Sequence, residues 1–284
     1  MDLPTPPSAT ALRVALRRAA HQVLDAPRIF DDPLALPLLG LDQNIAAAPE
    51  QGWLDDTPMA RVLRASLAAR SCFAEDVLQQ ARAEGVQQYV ILGAGLDTFA
   101  YRTSPADGLQ VFEVDHPAMQ AWKRQHLEAL AIAIPAHCIF APVDFERQTL
   151  AEGLQRVGFA SNRPAFFSWL GVTMYLTAPA IDATLGFVAS MPAGSGIVFD
   201  YLTTPARLSP PALRAFTELA RRVAAIGEPF QTFFDPDDLA QSLHALGFRE
   251  VIDTPPAAMD ARYFQGRSDG LRAGKLSHVM TAWV

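Results

Sequence analysis

Val90-Ile91-Leu92-Gly93-Ala94-Gly95-Leu96-Asp97-Thr98 is a short apolar run that passes directly into a glycine turn. Such a run reads as a buried strand, and strands covered on both faces belong to parallel sheets. Gly93 and Gly95 permit backbone angles and a close approach that a Cβ would block, so a ligand can rest against the main chain. Twenty residues beyond Gly95, Val111-Phe112-Glu113-Val114-Asp115 is a second strand-like run that ends in a carboxylate. An acid at that place can take two hydrogen bonds from a ribose diol. A lone Gly-x-Gly would serve a structural turn about as well. The strand before it and the acid after it favour a nucleotide-type site.

A third glycine would distinguish a dinucleotide, because it lets a long helix present its N-terminus to a pyrophosphate. Here that place is Thr98, followed by Phe99-Ala100-Tyr101-Arg102. A pyrophosphate is therefore disfavoured. S-adenosylmethionine carries no phosphate, and its methionine end needs a cation for the carboxylate and an acceptor for the ammonium. Arg70 is the candidate cation. It sits mid-way along a helical pattern from Met59 to Glu84 in which Leu63, Leu67, Arg70, Ala74, Val77 and Ala81 define one face, and Gly85 ends that helix.

Outward from the loop, strand-like runs occur at Tyr89 to Leu92, Gln110 to Val114, Cys138 to Ala141, Ala165 to Leu170 and Gly196 to Tyr201. Helical segments fall between several of them, including His116 to Leu130 and Ala178 to Ser190. A helix from Pro236 to Leu246, a strand near Arg249 to Asp253 and a closing strand from His278 to Val284 complete an alternating α/β pattern. Up to about Pro58 the chain is Ala-, Leu- and Pro-rich, with breaks at Pro27, Pro33, Pro37 and Pro49, and reads as a helical cap. Thr203 to Phe234 reads as a helical insertion able to lie as a lid over the sheet's carboxyl edge. No repeat or low-complexity linker divides the 284 residues, so a single domain is expected.

Half of the residues are apolar and 19% are charged, which places the chain among globular proteins. The net charge of −7 comes without a basic run, so a phosphate backbone would be repelled and nucleic acid is an unfavourable partner. Arg13, Arg17 and Arg18 interrupt the apolar start, which spoils a secretory signal, and no stretch approaches the roughly 18 apolar residues of a membrane span. Cys72 and Cys138 are isolated and read as free thiols of a reducing compartment. A cytoplasmic protein is the expectation. The six histidines are scattered and none has a metal partner at ligand spacing, so no metal site is expected.

The chain resembles the leucine carboxyl methyltransferase family, with its bacterial polyketide O-methyltransferase relatives. The resemblance runs from about Thr10 to the C-terminus. It is carried by Thr10-Ala11-Leu12 with Arg18-Ala19, Phe30-Asp31-Asp32-Pro33, Arg70, the Gly93 to Thr98 block with Ala100-Tyr101-Arg102, and Phe112-Glu113-Val114-Asp115. Val143-Asp144-Phe145, Gly171-Val172-Thr173-Met174-Tyr175-Leu176 and Phe199-Asp200-Tyr201 complete it. The resemblance implies a Rossmann-like class I methyltransferase fold, with a seven-stranded, mostly parallel sheet and helices on both faces. It implies S-adenosylmethionine as cofactor, Arg70 as partner of the methionine carboxylate, Asp115 as ribose ligand, and Asp144 with Phe145 as adenine contacts. The chain departs from the family at Leu170, where Glu is usual before the glycine, and at Phe99, where Arg is frequent. A backbone carbonyl near Gly93 or the Asp97 carboxylate could then hold the methionine ammonium.

Plainer roles stand beside these. Arg70 would also suit a structural acid partner, and Asp115 or Asp144 would suit the N-cap of a following helix. Trp169 and Tyr175 read first as sheet-edge packing. Tyr175, Tyr201, Phe230 and Phe233 are the candidates for lining an acceptor pocket. The expected reaction moves a methyl group to an oxygen, carboxylate or hydroxyl, of a small-molecule acceptor. The absence of a His-Asp pair and the family resemblance both lean to carboxylate. The rivals are an NAD-dependent oxidoreductase and a catalytically silent cofactor-binding protein.

Overall fold

A computed structural model describes residues 8–41, 54–145 and 147–284. Seven strands form one sheet: β1 (Gln88–Leu92), β2 (Gln110–Asp115), β3 (Cys138–Pro142), β4 (Phe166–Trp169), β5 (Gly196–Leu202), β6 (Glu250–Thr254) and β7 (Ser277–Trp283). Their order is β3-β2-β1-β4-β5-β7-β6. β7 runs antiparallel to both β5 and β6, and the other pairs are parallel. The strand order reverses between β1 and β4, which opens a crevice at the carboxyl ends of the strands, where open α/β sheets bind ligands.

The apolar runs that announce the strands are buried on both faces because helices cover both. Tyr89, Ile91, Val111, Phe166 and Val198 join the core on one side. Val90, Leu92, Phe112, Phe167 and Phe199 join the core on the other. This is the period of two expected of a strand, with an apolar layer on each side of it. The helices are α1 (Ala9–Leu24), α2 (Pro58–Ala83), α3 (Phe99–Arg102), α4 (Pro117–Ala129), α5 (Leu150–Arg156), α6 (Ala178–Ala189), α7 (Pro210–Ala224), α8 (Pro236–Leu246) and α9 (Pro256–Tyr263). Among the described residues no helix is long and apolar enough to cross a membrane. Cys72 and Cys138 are both free, with burial pushing the Cys72 thiol up to about 11 and the Cys138 thiol to about 12.

α2 begins at a Thr57 cap and stops before Gly85, whose φ is +95°. Its buried face is rotated from the expected one. Ala74, Val77 and Ala81 are in the core, but Leu63 and Leu67 are only half-buried, and Ala65, Ala68, Ala69 and Phe73 take the core side. Small residues let α1 and the sheet approach the helix axis, which frees the leucines for a cavity wall. α1 is one helix capped by Ser8; Pro27 and Pro33 fall in the bends and turns after it, and Pro37 starts a short 3-10 helix, Pro37–Leu39; Pro49 lies outside the described residues. Three helices, α3, α5 and α9, have no counterpart in the apolar spacing. α5 does carry a legible start signal, a capping box in which Thr149 and Glu152 exchange bonds, whereas α9 has no side-chain cap.

One buried ion pair ties the glycine loop to the sheet. Lys123 on α4 and Glu113 on β2 are 2% and 1% exposed and meet at 2.7 Å. The same ammonium donates to the Asp97 carbonyl at 2.9 Å. Burial raises the Glu113 carboxyl and Lys123 opposes that rise. Removing Lys123 would strand a buried carboxylate, so Lys123→Ala should cost about 3 kcal/mol in urea unfolding. A loss under ~1 kcal/mol, the value of an exposed pair, would show that the pair does not hold the loop.

Candidate functional site

The turn after β1 is glycine for two reasons. Gly93 has φ +66°, and a Cβ there would lie 2.4 Å from Cγ2 of Val172. Gly95 follows at φ +46°. The turn is then pinned to β2: the Ala94 N–H donates to the Val114 carbonyl at 3.0 Å, and the Gly95 N–H donates to Asp115 Oδ2 at 2.5 Å. Asp115 Oδ1 accepts the His116 N–H at 2.7 Å. The helix cap that Asp115 could have supplied is made instead by His116, whose Nδ1 accepts from Ala118. Burial raises the Asp115 carboxyl above its ordinary range, against the pull of the Gly95 and His116 N–H groups.

Arg70 does have a structural acid partner. Its Nη1 meets Asp200 Oδ2 at 2.5 Å, while Asp200 Oδ1 accepts the Gly171 N–H at 2.5 Å. Gly171 has φ +74°, and a Cβ there would be 2.6 Å from Arg70 Nη2, so the glycine makes room for the guanidinium. The other guanidinium N–H groups of Arg70 make no hydrogen bond among the described residues. Asp144 lies beyond β3, 3.5 Å from Arg147 and 3.9 Å from His116. No helix starts at Phe145, since the next one is capped by Thr149.

Arg70, Gly93, Gly95, Asp115, Asp144 and Phe145 all line one cavity of about 820 Å³ at the crevice. Sequence spacing missed Glu75 in its wall, whereas Asp97, a candidate for the methionine ammonium, does line it. Glu75, one turn and a half along α2 from Arg70, pairs with Arg102, and Asp97 stands 3.6 Å from Arg18. Leu170, where the family's acid was expected, lines the same space. Arg18, 6% exposed, bonds Asp32 at 2.5 Å and Thr98 at 2.7 Å, and so fastens the segment after α1 to the loop. Phe99 is buried against Tyr89 with ring centroids 4.8 Å apart, so its place serves packing. The first N–H of α3 is taken by Asp97 Oδ1 at 2.7 Å, which sets a carboxylate where a pyrophosphate would have to approach the helix start.

Thr10, Ala11 and Val14 of α1 close one side of the cavity, together with Gly227 and Glu228 from the segment between α7 and α8. The Thr10 N–H donates to Glu228 Oε2 at 3.1 Å, which joins the two pieces. A second cavity, of about 700 Å³, adjoins the first and shares Thr10, Val14, Arg70, Gly171 and Tyr175 with it. Tyr175 and Phe230 line the second cavity. Tyr201 and Phe233 line neither. Tyr201 is fully buried on the opposite face of β5 and donates to Asp253 at 2.8 Å, and Phe233 packs edge-on against Phe216 at 5.5 Å. Trp169 is wholly buried in the core.

The family model described as leucine carboxyl methyltransferase matches residues 11–189, more than half of the chain. The chain belongs to the leucine carboxyl methyltransferase family. A Bacillus subtilis protein, YktD, named as an S-adenosyl-L-methionine-dependent methyltransferase, is 32% identical over 97% of this chain and 97% of its own. A similarly named protein of Mycolicibacterium paratuberculosis is 32% identical over 95% of this chain and 91% of its own. Among solved structures, a Thermobifida fusca chain named as a methyltransferase superposes with a TM-score of 0.56 at 18% identity, covering 98% of each chain. That likeness shows the fold, a Rossmann-like class I methyltransferase sheet. Membership makes the chain a methyltransferase with S-adenosylmethionine as its cofactor.

If Asp115 takes both hydroxyls of a ribose diol, its ionised form is the better acceptor, and its burial gives binding a pH signature. Affinity for S-adenosylhomocysteine should weaken on acidification, beginning above the ordinary aspartate value of about 3.9. In titration calorimetry at neutral pH, Asp115→Ala should weaken that affinity at least tenfold with the circular dichroism spectrum unchanged. Unaltered affinity would remove Asp115 from the site.

Proposed function

We propose that the chain transfers the methyl group of S-adenosylmethionine to an oxygen of a small-molecule acceptor, with a carboxylate favoured over a hydroxyl. The observation that carries this reading is the junction at Arg70, Gly171 and Tyr175, residues that line both the first cavity and a second one beside it. The residues present fit the cofactor. Gly93 and Gly95 offer bare main chain, Asp115 would take the ribose hydroxyls, and Asp144 and Phe145 would meet the adenine. Arg70, held by Asp200, would pair with the methionine carboxylate through its remaining N–H groups. Glu75 or Asp97 would accept from the ammonium, in place of the acid missing at Leu170. The carboxylates in this wall, Glu75, Asp97, Asp115, Asp144 and Glu228, also oppose a diphosphate, which disfavours a dinucleotide.

When bound, the cofactor supplies a methyl group on a positively charged sulfur. The protein's contribution is to hold an acceptor oxygen in line behind that methyl at roughly 3 to 3.5 Å and to exclude water. Thr10, Glu228 and Tyr175 close the space around the junction. No histidine lines the second cavity among the described residues, and burial pushes the Tyr175 phenol up to about 12, so it stays a neutral donor at neutral pH. A carboxylate acceptor fits a site without a histidine, because carboxyl groups ordinarily titrate near about 4 and are already ionised at neutral pH; a hydroxyl would need its proton moved. The segment 203–234 would act as a cover over the acceptor side.

The test is transfer of labelled methyl from S-adenosylmethionine into the small-molecule fraction of a cell extract. Label is expected in base-labile methyl esters. Arg70→Gln should raise the KM for the cofactor at least tenfold. No transfer at all would support a silent binding protein, and base-stable label would point to a hydroxyl acceptor.

A further inference from the structure

The second cavity has an unbalanced charge. Six arginines line it: Arg13, Arg17, Arg64, Arg70, Arg221 and Arg222. Four are matched by acids. Arg64 takes Asp25 at 2.7 Å and Asp56 at 2.8 Å, Arg70 takes Asp200, and Arg221 and Arg222 share Glu218 at 3.1 and 2.7 Å. Arg13 and Arg17, one turn apart on α1, have no ion pair and donate no hydrogen bond among the described residues. The Arg17 Nε is moreover a buried donor without a partner. Burial and then Arg13 hold the Arg17 guanidinium below its ordinary value, with Arg222 and Arg64 acting in the same sense. Asp55 acts against them from beyond ion-pair distance. An orphaned, partly desolvated cation is costly unless something pairs with it.

The rest of the wall is aliphatic and aromatic: Leu16, Leu63, Leu67, Leu219, Ile226 and Phe230. The half-burial of Leu63 and Leu67 on α2 follows from their place here. The cavity runs between α1 and α2. Thr10 and Arg70 mark the junction with the cofactor cavity, and Arg17, Asp55 and Met59 mark the far end. Arg17 is seven residues along α1 from Thr10, or roughly 10 Å at the helical rise.

We propose that the acceptor is an elongated amphipathic anion, whose terminal carboxylate or phosphate docks on Arg17 and Arg13 while its apolar body lies along the leucine wall. The methyl-accepting group is then at its other end, beside Arg70 and Tyr175. This rests on the second cavity being the acceptor site. It separates two anion-binding roles along one channel: Arg70 at the cofactor, and Arg17 as the anchor for the acceptor's distal end.

Octanoate, octyl phosphate and octanol serve as probes, because an octyl chain spans about this distance and the three differ only in the head group. Each is titrated calorimetrically into the protein saturated with S-adenosylhomocysteine. At least one of the two anions should bind tenfold or more tighter than octanol, and the tighter one names the head group. Arg17→Gln should bring that anion to the level of octanol, and Arg17→Lys should keep most of the preference. Arg13→Gln, at an exposed position, should weaken the anion about threefold and leave octanol unchanged; it provides the test should Arg17→Gln fail to fold. Equal binding of anions and octanol to the native protein, or an anion preference that survives Arg17→Gln, would overturn the proposal. Affinity for S-adenosylhomocysteine, read in parallel, should be unaltered in all variants and tests the cofactor site separately.

Discussion

The Asp115 carboxylate accepts the Gly95 N–H at 2.5 Å, and this bond joins the ends of two neighbouring parallel strands. β1 and β2 pair in register up to Leu92 and Val114, so the turn after one and the last residue of the other emerge at the same level. Two positive-φ glycines then lay bare backbone across the crevice, and Lys123 holds the far side of the turn through the Asp97 carbonyl. If this junction slipped by one residue, Asp115 would face the opposite side of the sheet. The cavity wall formed by Gly93, Gly95 and Asp115 depends on that register.

Around it, charge is arranged for placement more than for stability. Buried ion pairs contribute little net stability, yet losing one partner is expensive, so they hold geometry well. Asp200 fixes Arg70 in the wall between the two cavities and simultaneously orders the Gly171 turn. Arg18, Asp32 and Thr98 lock the N-terminal segment onto the loop, and Arg102 carries the network to Glu75. In these networks around the cofactor cavity every arginine has an acid partner. The second cavity contrasts with it, since two of its arginines are left without acids.

Much of the fold was legible because its strands are buried on both faces, and continuous apolar runs such as Val90 to Leu92 and Ile197 to Phe199 have few other readings. The glycine loop and Asp115 were legible because their chemistry is local. The partner of Arg70 was not: Asp200 is 130 residues away, and only the sheet brings it near. The pattern of β5 did hold a clue. Successive strand residues face opposite sides, so Asp200 and Tyr201 cannot both face the cavity, and the side with Arg70 receives the carboxylate. The helical face of α2 was misassigned because leucines outweigh alanines in any apolar count, whereas close packing against α1 and the sheet selects the alanines. Glu75 was hidden for a similar reason, since an acid on a helix looks like solvated surface until the crevice is closed above it, whereas Asp97 was legible from its place in the glycine loop.

A crystal structure of the protein with S-adenosylhomocysteine tests the central claim most directly. The ribose hydroxyls should lie within hydrogen-bond distance of Asp115, and the amino-acid carboxylate should meet Arg70, with the sulfur facing the junction at Tyr175. A ligand bound away from the Gly93 to Gly95 turn, or one whose carboxylate avoids Arg70 while the Arg70–Asp200 pair stays closed to it, would contradict the convergence of these groups on a single adenosyl site.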